Sequence, residues 1–170
     1  MNMTDEIEIK QANIHDIKTI SEILLDAVNH FGVWSEERVS AENLSREFSA
    51  SLEEFHILYV NNESAGCMAL EDTAPFFWTE RIEKGDSLFL RRLAIKRFAS
   101  GKNLSTKMLE YAVEQCKERN IKTLRLDCDA NTPKLHKIYE NFGFMLEKKV
   151  TLILGGNDYP TLFYFYSVEI

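Results

Sequence analysis

Long apolar runs are missing from this 170-residue chain. None approaches the roughly 20 residues that a membrane-spanning helix needs, so no membrane partner is expected. The opening stretch MNMTDEIEIK is acidic and has no apolar core of the signal-peptide kind. Cysteine is scarce. Cys67, Cys116 and Cys128 are an odd number with no CxxC pair, which argues against both a disulfide framework and a zinc site. No metal is expected, and a reducing compartment, the cytoplasm, is. Positive charge is short as well: 20 Lys and Arg against 27 Asp and Glu leave a net charge of −7. A field of that sign repels nucleic acid and favours cationic ligands. Proline occurs three times, and no repeat, low-complexity tract or linker divides the chain. A single domain over residues 1–170 is the expectation, as a monomer or homodimer.

What is there is a mixed pattern of strands and helices. Ile7 and Ile9 alternate with charged residues as in a short strand. Asn13 is placed to cap a helix whose buried stripe is Ile14, Ile17, Ile20, Leu24 and Val28. Ser35 is a candidate cap for a second, more polar helix from about Glu36 to Phe48. Two strands, Phe55 to Val60 and Gly66 to Leu70, flank a turn at Asn61–Ser64. A long irregular stretch, Asp72 to Asp86, follows. Then comes the segment around which the chain is organised: a strand from Ser87 to Ile95, a loop from Lys96 to Asn103, and a helix with Leu104, Met108, Tyr111, Ala112 and Cys116 on one face. Lys122 to Cys128 alternates as a strand. Thr132-Pro133 opens a helix that Gly143 ends. Two last strands, Phe144 to Leu154 and Thr161 to Ile170, are joined by a turn at Gly155–Asp158. The order implies a mixed α/β fold with a mostly antiparallel central sheet. Its one strand–helix–strand crossover, Leu88 to Cys128, should run parallel.

A strand, a tight loop and a helix start together aim unpaired backbone N–H groups in one direction, where the helix dipole adds positive charge. That is a phosphate site made of main chain. A Walker A loop is ruled out, because Gly101-Lys102 is followed by Asn103 and Lys96 stands where the first glycine belongs. A dinucleotide fingerprint is ruled out because the loop has one glycine instead of three.

Two segments resemble the motifs of the GNAT superfamily of acetyl-CoA-dependent N-acyltransferases, in its small single-domain bacterial form. The first is Arg92-Leu93-Ala94-Ile95 with its loop and helix. The second is Leu124 to Cys128, Asn131, and Tyr139-Glu140-Asn141-Phe142-Gly143-Phe144. The resemblance is close from Ser87 to Phe144 and rests on element order elsewhere. It implies the GNAT fold, acetyl-CoA as co-substrate, and a small-molecule or peptide amine as acceptor. It places a pantetheine arm along Leu93, Ala94 and Ile95, with a main-chain N–H near Ile95 facing the thioester oxygen. It gives the diphosphate to Ser100, Gly101, Lys102, Asn103, Leu104, Ser105 and Thr106, and a contact with the arm to Asn131. It makes Tyr139 the general acid that protonates the leaving sulfur. Family acceptor sites come from the first helices and from the loop before the coenzyme strand, which makes Phe31, Trp34, Glu71 and Trp78 the acceptor-side candidates.

The loop departs from the family signature. The positions for Gln or Arg, for Gly, and for Gly or Ala fall on Ser100, Asn103 and Ser105, with Gly101 between them. Asn tolerates left-handed backbone and Ser is small, so the loop can keep its shape. Altered coenzyme binding is expected, with Lys102 able to supply compensating charge. Taken singly, these residues have plainer readings. Tyr139 fits a core stripe, Asn131 a helix cap, Arg91 and Arg92 a solvated strand edge, and Cys128 a small buried hydrophobe. His15, His30, His56 and His136 have no ligand spacing. No general base stands out, Glu71 and Asp129 being carboxylates near strand ends. A binding or sensing module without turnover is the alternative to an enzyme.

Overall fold

The computed structural model describes residues 3–31, 36–47, 54–153 and 159–170. The expected cap at Ser35, the acceptor candidate Trp34 and the turn at Gly155–Asp158 lie outside them, as does the side chain of Phe31. In chain order the elements are β1 (Ile7–Gln11), α1 (Ile17–Phe31), α2 (Ala41–Glu47), β2 (Phe55–Val60), β3 (Glu63–Glu71) and β4 (Ser87–Ile95). After these come α3 (Leu104–Glu118), β5 (Thr123–Asp129), α4 (Pro133–Phe142), β6 (Met145–Leu152) and β7 (Thr161–Glu169). The described strands form one seven-stranded sheet in the order β1-β2-β3-β4-β5-β7-β6. The ladders β1/β2, β2/β3, β5/β7 and β6/β7 are antiparallel. The β4/β5 ladder is parallel, from Ser87 opposite Thr123 to Leu90 opposite Leu126. This is the expected mixed sheet with its crossover through α3.

The chain separates into two compact units, Met1–Ala69 with Arg92–Met108 and Leu70–Arg91 with Leu109–Ile170. In the first, α1 buries Ile20, Ile23, Leu24 and Ala27 against Val39, Leu44, Phe55, Ile57, Cys67 and Ala94. The expected stripe needs one correction. Ile14 is 71% exposed, because Ile14–Asp16 form a 3-10 turn ahead of α1. A turn of three residues per revolution is out of phase with the helix after it, so Ile14 leaves the stripe. Asn13 does cap this start. It accepts from the His15 N–H while Asp16 reaches back to the Asn13 N–H. The second helix begins five residues later than expected. The Ser40 hydroxyl oxygen accepts from the Asn43 N–H at 3.2 Å, which places the cap there and leaves 36–39 in turns. The hairpin turn is also tighter than expected. Asn61 and Asn62 alone carry it at φ 49° and 66°, and β3 starts at Glu63.

The second unit packs Phe77, Trp78, Phe89 and Phe165 together, with Ile82, Val150 and Phe163 at the margin. Here α3 and α4 contribute Leu109, Ala112, Cys116 and Tyr139 to the buried set. Arg91 and Arg92 are not solvated edge residues. Arg92 is 6% exposed, at φ 57°, and the Arg91 side chain is 20% exposed. Arg91 is held by the Glu71 carboxylate at 3.1 Å, and the left-handed Arg92 interrupts the regular pleat of β4.

Candidate active site

In the first unit the end of β4 is tied down before the loop begins. The Lys96 N–H donates to the Ala65 carbonyl at 2.7 Å and its ammonium to the Ser64 hydroxyl at 3.1 Å. A 3-10 turn, Arg97–Ala99, follows, with the Arg97 N–H on the Asp26 carboxylate at 2.8 Å. Gly101 (φ 82°) and Asn103 (φ 59°) are both left-handed, and between them the chain swings into α3. The first-turn donors of α3, from Leu104, Ser105 and Thr106, have no acceptor within the helix. Leu104 is buried and offers only its main chain. Ser100, Gly101, Lys102 and Asn103 are exposed, Ser105 and Thr106 half-buried. Thr106 donates its hydroxyl to Asn103 Oδ1 at 2.9 Å. Lys102 pairs with Asp5 at 2.9 Å, and that contact, with help from Asn61, holds the Asp5 carboxyl below the usual carboxylate range.

In the second unit the six-residue stretch from Tyr139 to Phe144 is a helix stop. Gly143 adopts φ 117°, and its N–H reaches the carbonyls of Tyr139 and Glu140. The Phe144 N–H also returns to the Tyr139 carbonyl, at 3.0 Å, and the two rings meet edge to face at 5.8 Å. The motif therefore fixes the residue it begins with. Tyr139 is 4% exposed. Burial, and then the neighbouring Cys128, Asp127 and Tyr166, push its phenol well above the ordinary tyrosine range, so it stays a neutral O–H donor. Asn131 is exposed and is not the cap. That position belongs to Thr132, while the Asn131 N–H donates to Asp129 Oδ1 at 2.8 Å.

Glu71 accepts at both oxygens from Arg91 Nη1, each at 3.1 Å. Trp78 is 4% exposed, stacked near Phe165 at 4.6 Å, with its indole N–H 3.4 Å from Asp127. All three thiols are free and buried. Burial pushes Cys67 and Cys128 up to about 12 and Cys116 to about 11. Sequence reasoning passed over His136, which is 8% exposed and bonds to both the Asp129 carbonyl and the Tyr166 hydroxyl. Its place three residues before Tyr139 was a signal of burial. Its partner on β7, 30 residues on, leaves no local trace.

A family model for the acetyltransferase (GNAT) family matches residues 18–144, and the chain belongs to that family. It is 26% identical over 103 residues to the Bacillus subtilis N-acetyltransferase YesJ, itself uncharacterised. That match takes in 58% of this chain and 57% of the relative's length. Solved structures share the fold. Salmonella typhimurium yncA, solved with its cofactor acetyl-CoA, superposes at TM-score 0.72 with 15% identity over 96% of this chain and 93% of its own. A GNAT-family acetyltransferase from Listeria monocytogenes does so at 0.70, with 22% identity over 99% of each chain. An N-acetyltransferase from Staphylococcus aureus gives 0.75 at 18% identity, over 96% of this chain and 98% of the other.

Proposed function

We propose that this protein transfers the acetyl group of acetyl-CoA to the amine of a small molecule or peptide, by direct attack in a ternary complex. The observation that supports the reading is the left-handed pair Gly101 and Asn103 immediately ahead of α3, where the first-turn N–H groups have no acceptor within the helix. Family membership supplies the coenzyme that such a donor array would hold. The backbone groups of Leu93 and Ile95 pair with the amides of the pantetheine arm, and an N–H near Ile95 stabilises charge on the thioester oxygen. The amine nitrogen attacks the carbonyl carbon, the new C–N bond forms and the C–S bond breaks. The nitrogen gives up a proton to solvent, the sulfur gains one from Tyr139, and the phenolate takes one back from solvent before the next turnover. Burial keeps the phenol neutral, so its proton is present at neutral pH. Direct attack agrees with three buried thiols that stay protonated near neutral pH.

The test is a thiol-release assay over a panel of amines with wild type and Tyr139→Phe. Removing a general acid should lower kcat by about 10²- to 10⁴-fold, with acetyl-CoA still bound. Full turnover by the variant would remove Tyr139 from the chemistry. One observation favours the second reading, a coenzyme-binding module without turnover: the loop's lysine, Lys102, is already engaged by Asp5. Calorimetric binding of acetyl-CoA without thiol release from any amine would decide for that module.

A further inference from the structure

The 3-10 turn ahead of Gly101 and Asn103 is held from two sides. Lys96 gives its N–H to the Ala65 carbonyl of β3 at 2.7 Å. The next residue, Arg97, gives its N–H to Asp26 Oδ2 of α1 at 2.8 Å. Inside the turn the Ala99 and Ser100 N–H groups close on the carbonyls of Lys96 and Arg97, each at 3.0 Å, and Ala99 is fully buried. The first N–H of such a turn has no acceptor within it. Here a carboxylate 71 positions earlier in the chain supplies one.

Asp26 stands on a fixed base. Its neighbours in α1, Ile23, Leu24 and Ala27, are packed in the core of the first unit. His30 lies one turn further along α1, with Nε2 3.7 Å from Asp26 Oδ1. Arg97 Nη1 is 3.2 Å from His30 Nδ1, and a guanidinium only donates, so Nδ1 accepts. Both the main chain and the side chain of Arg97 are thus held to α1. Beyond the turn the ties are different. Residues 100–103 are exposed, and their side-chain bonds run from Lys102 to Asp5 and from Thr106 to Asn103. Charge alone argues against an acid beside a loop that receives a diphosphate, since it opposes the arriving anion. What a carboxylate does provide is a strong acceptor for an N–H group.

We propose that Asp26 is a positioning residue for acetyl-CoA. By holding the Arg97 N–H it sets the direction in which the chain enters Gly101–Asn103, and so presents the loop's main-chain donors to the diphosphate in one arrangement. Asp26 touches no atom of the coenzyme and acts through the loop. A loop already ordered in its binding shape loses less entropy when the ligand arrives.

The inference rests on the coenzyme reading of the loop, and its test separates the two. Calorimetry measures acetyl-CoA binding to wild type, Asp26→Ala, Asp26→Asn and Arg97→Ala. Asp26→Ala loses the acceptor and should bind about tenfold more weakly. Asp26→Asn keeps an acceptor oxygen and drops the charge, so its affinity should stay within about twofold of wild type. Arg97→Ala keeps the N–H and should behave like Asp26→Asn. Wild-type affinity in Asp26→Ala, or asparagine as weak as alanine, overturns the proposal. Arg97→Ala as weak as Asp26→Ala also overturns it, because the guanidinium and not the main chain would then be the contact that matters.

A second readout separates positioning from a general loss of structure. In the thiol-release assay Asp26→Ala should raise the KM for acetyl-CoA and leave kcat and the acceptor KM at wild-type values. With acetyl-pantetheine, which has the thioester but no diphosphate, kcat/KM should be the same in both proteins. An equal loss with both acetyl donors means that Asp26 only supports the fold, and removes its positioning role. Should Asp26→Ala not fold, amide hydrogen exchange in wild type decides. The Arg97 amide should be protected without ligand, and acetyl-CoA should slow exchange at Gly101–Asn103 while leaving Arg97 unchanged. A freely exchanging Arg97 amide counts against the proposal. Wild type that binds acetyl-CoA but acetylates no amine defeats the transfer reading and leaves the binding result standing. Wild type that binds no acetyl-CoA defeats both.

Discussion

A methyl group placed on Gly66 would lie 2.9 Å from the carbonyl oxygen of Ala94 and 2.6 Å from Cδ1 of Ile95. The Ile95 carbon ends a flexible side chain, but the carbonyl is backbone and cannot step aside alone. The backbones of β3 and β4 therefore approach closely at Ala94–Ile95, the stretch proposed to lie along the thioester arm.

Gly66→Ala should accordingly destabilise the fold by about 1–3 kcal/mol through overpacking. Urea unfolding reads this as a lower midpoint with an unchanged slope. Because the carbonyl that must move belongs to Ala94, acetyl-CoA affinity should fall in the same variant. A midpoint within error of wild type would mean that the strands part freely at this position.

The thiols give a pH prediction with a definite sign. Burial raises Cys67 and Cys128 to about 12 and Cys116 to about 11, against an ordinary value of 9.0. The folded chain therefore keeps protons that the unfolded chain gives up once the pH passes about 9. Stability from these thiols is fully present below that pH and is lost as pH rises from about 9 toward 12. Thermal unfolding between pH 8 and 10.5 should show a falling Tm on the alkaline side. At pH 8 a thiol reagent should modify the native chain far more slowly than the chain in denaturant. Fast labelling of the native chain would contradict the burial of all three thiols.

Local chemistry explains which features the sequence disclosed. The Asn13 cap, the Leu124-Leu126-Cys128 alternation and the Thr132-Pro133 to Gly143 helix are written in residues a few positions apart, and each stands where expected. Misjudged features depend on phase or on distant partners. Ile14 belongs by composition to the α1 stripe, but a 3-10 turn shifts its phase. Arg91 and Arg92 look like surface charge, but Arg92 takes a left-handed backbone in mid-strand and Arg91 pairs with the Glu71 carboxylate 20 residues before it. His136 depends on Tyr166. The loop lysine behaves in the same way, since its partner Asp5 lies 97 positions away.

The Lys102–Asp5 pair leads to a prediction about coenzyme affinity. A diphosphate arriving at the loop must compete with the Asp5 carboxylate for the ammonium group, whose side chain is 43% exposed. Asp5→Asn should tighten acetyl-CoA binding roughly two- to threefold, a modest gain because exposed ion pairs are weak. Lys102→Gln should weaken it, and the double variant should resemble Lys102→Gln alone. The difference should shrink at high salt, since both partners face solvent. Equal affinities in wild type and Asp5→Asn at low salt would show that Lys102 does not reach the coenzyme.

Asn103 tests the loop's departure from the family signature. At φ 59° it occupies backbone that glycine adopts freely and that most other residues enter at a cost. Its side chain also accepts the Thr106 hydroxyl at the start of α3. Asn103→Ala loses both the tolerance and the hydrogen bond and should cost about 1–2 kcal/mol. Asn103→Gly loses only the hydrogen bond, so the two variants should differ in stability in the glycine's favour. Removing the Cβ also opens the main chain to a closer approach by the diphosphate, so Asn103→Gly should bind acetyl-CoA more tightly than wild type. Calorimetric titration of the three proteins separates these effects. If Asn103→Gly binds no better than wild type, the side chain at this position is not what limits access to the main-chain donors. The departure at Ser100 or Ser105 would then have to account for any weakness of the loop.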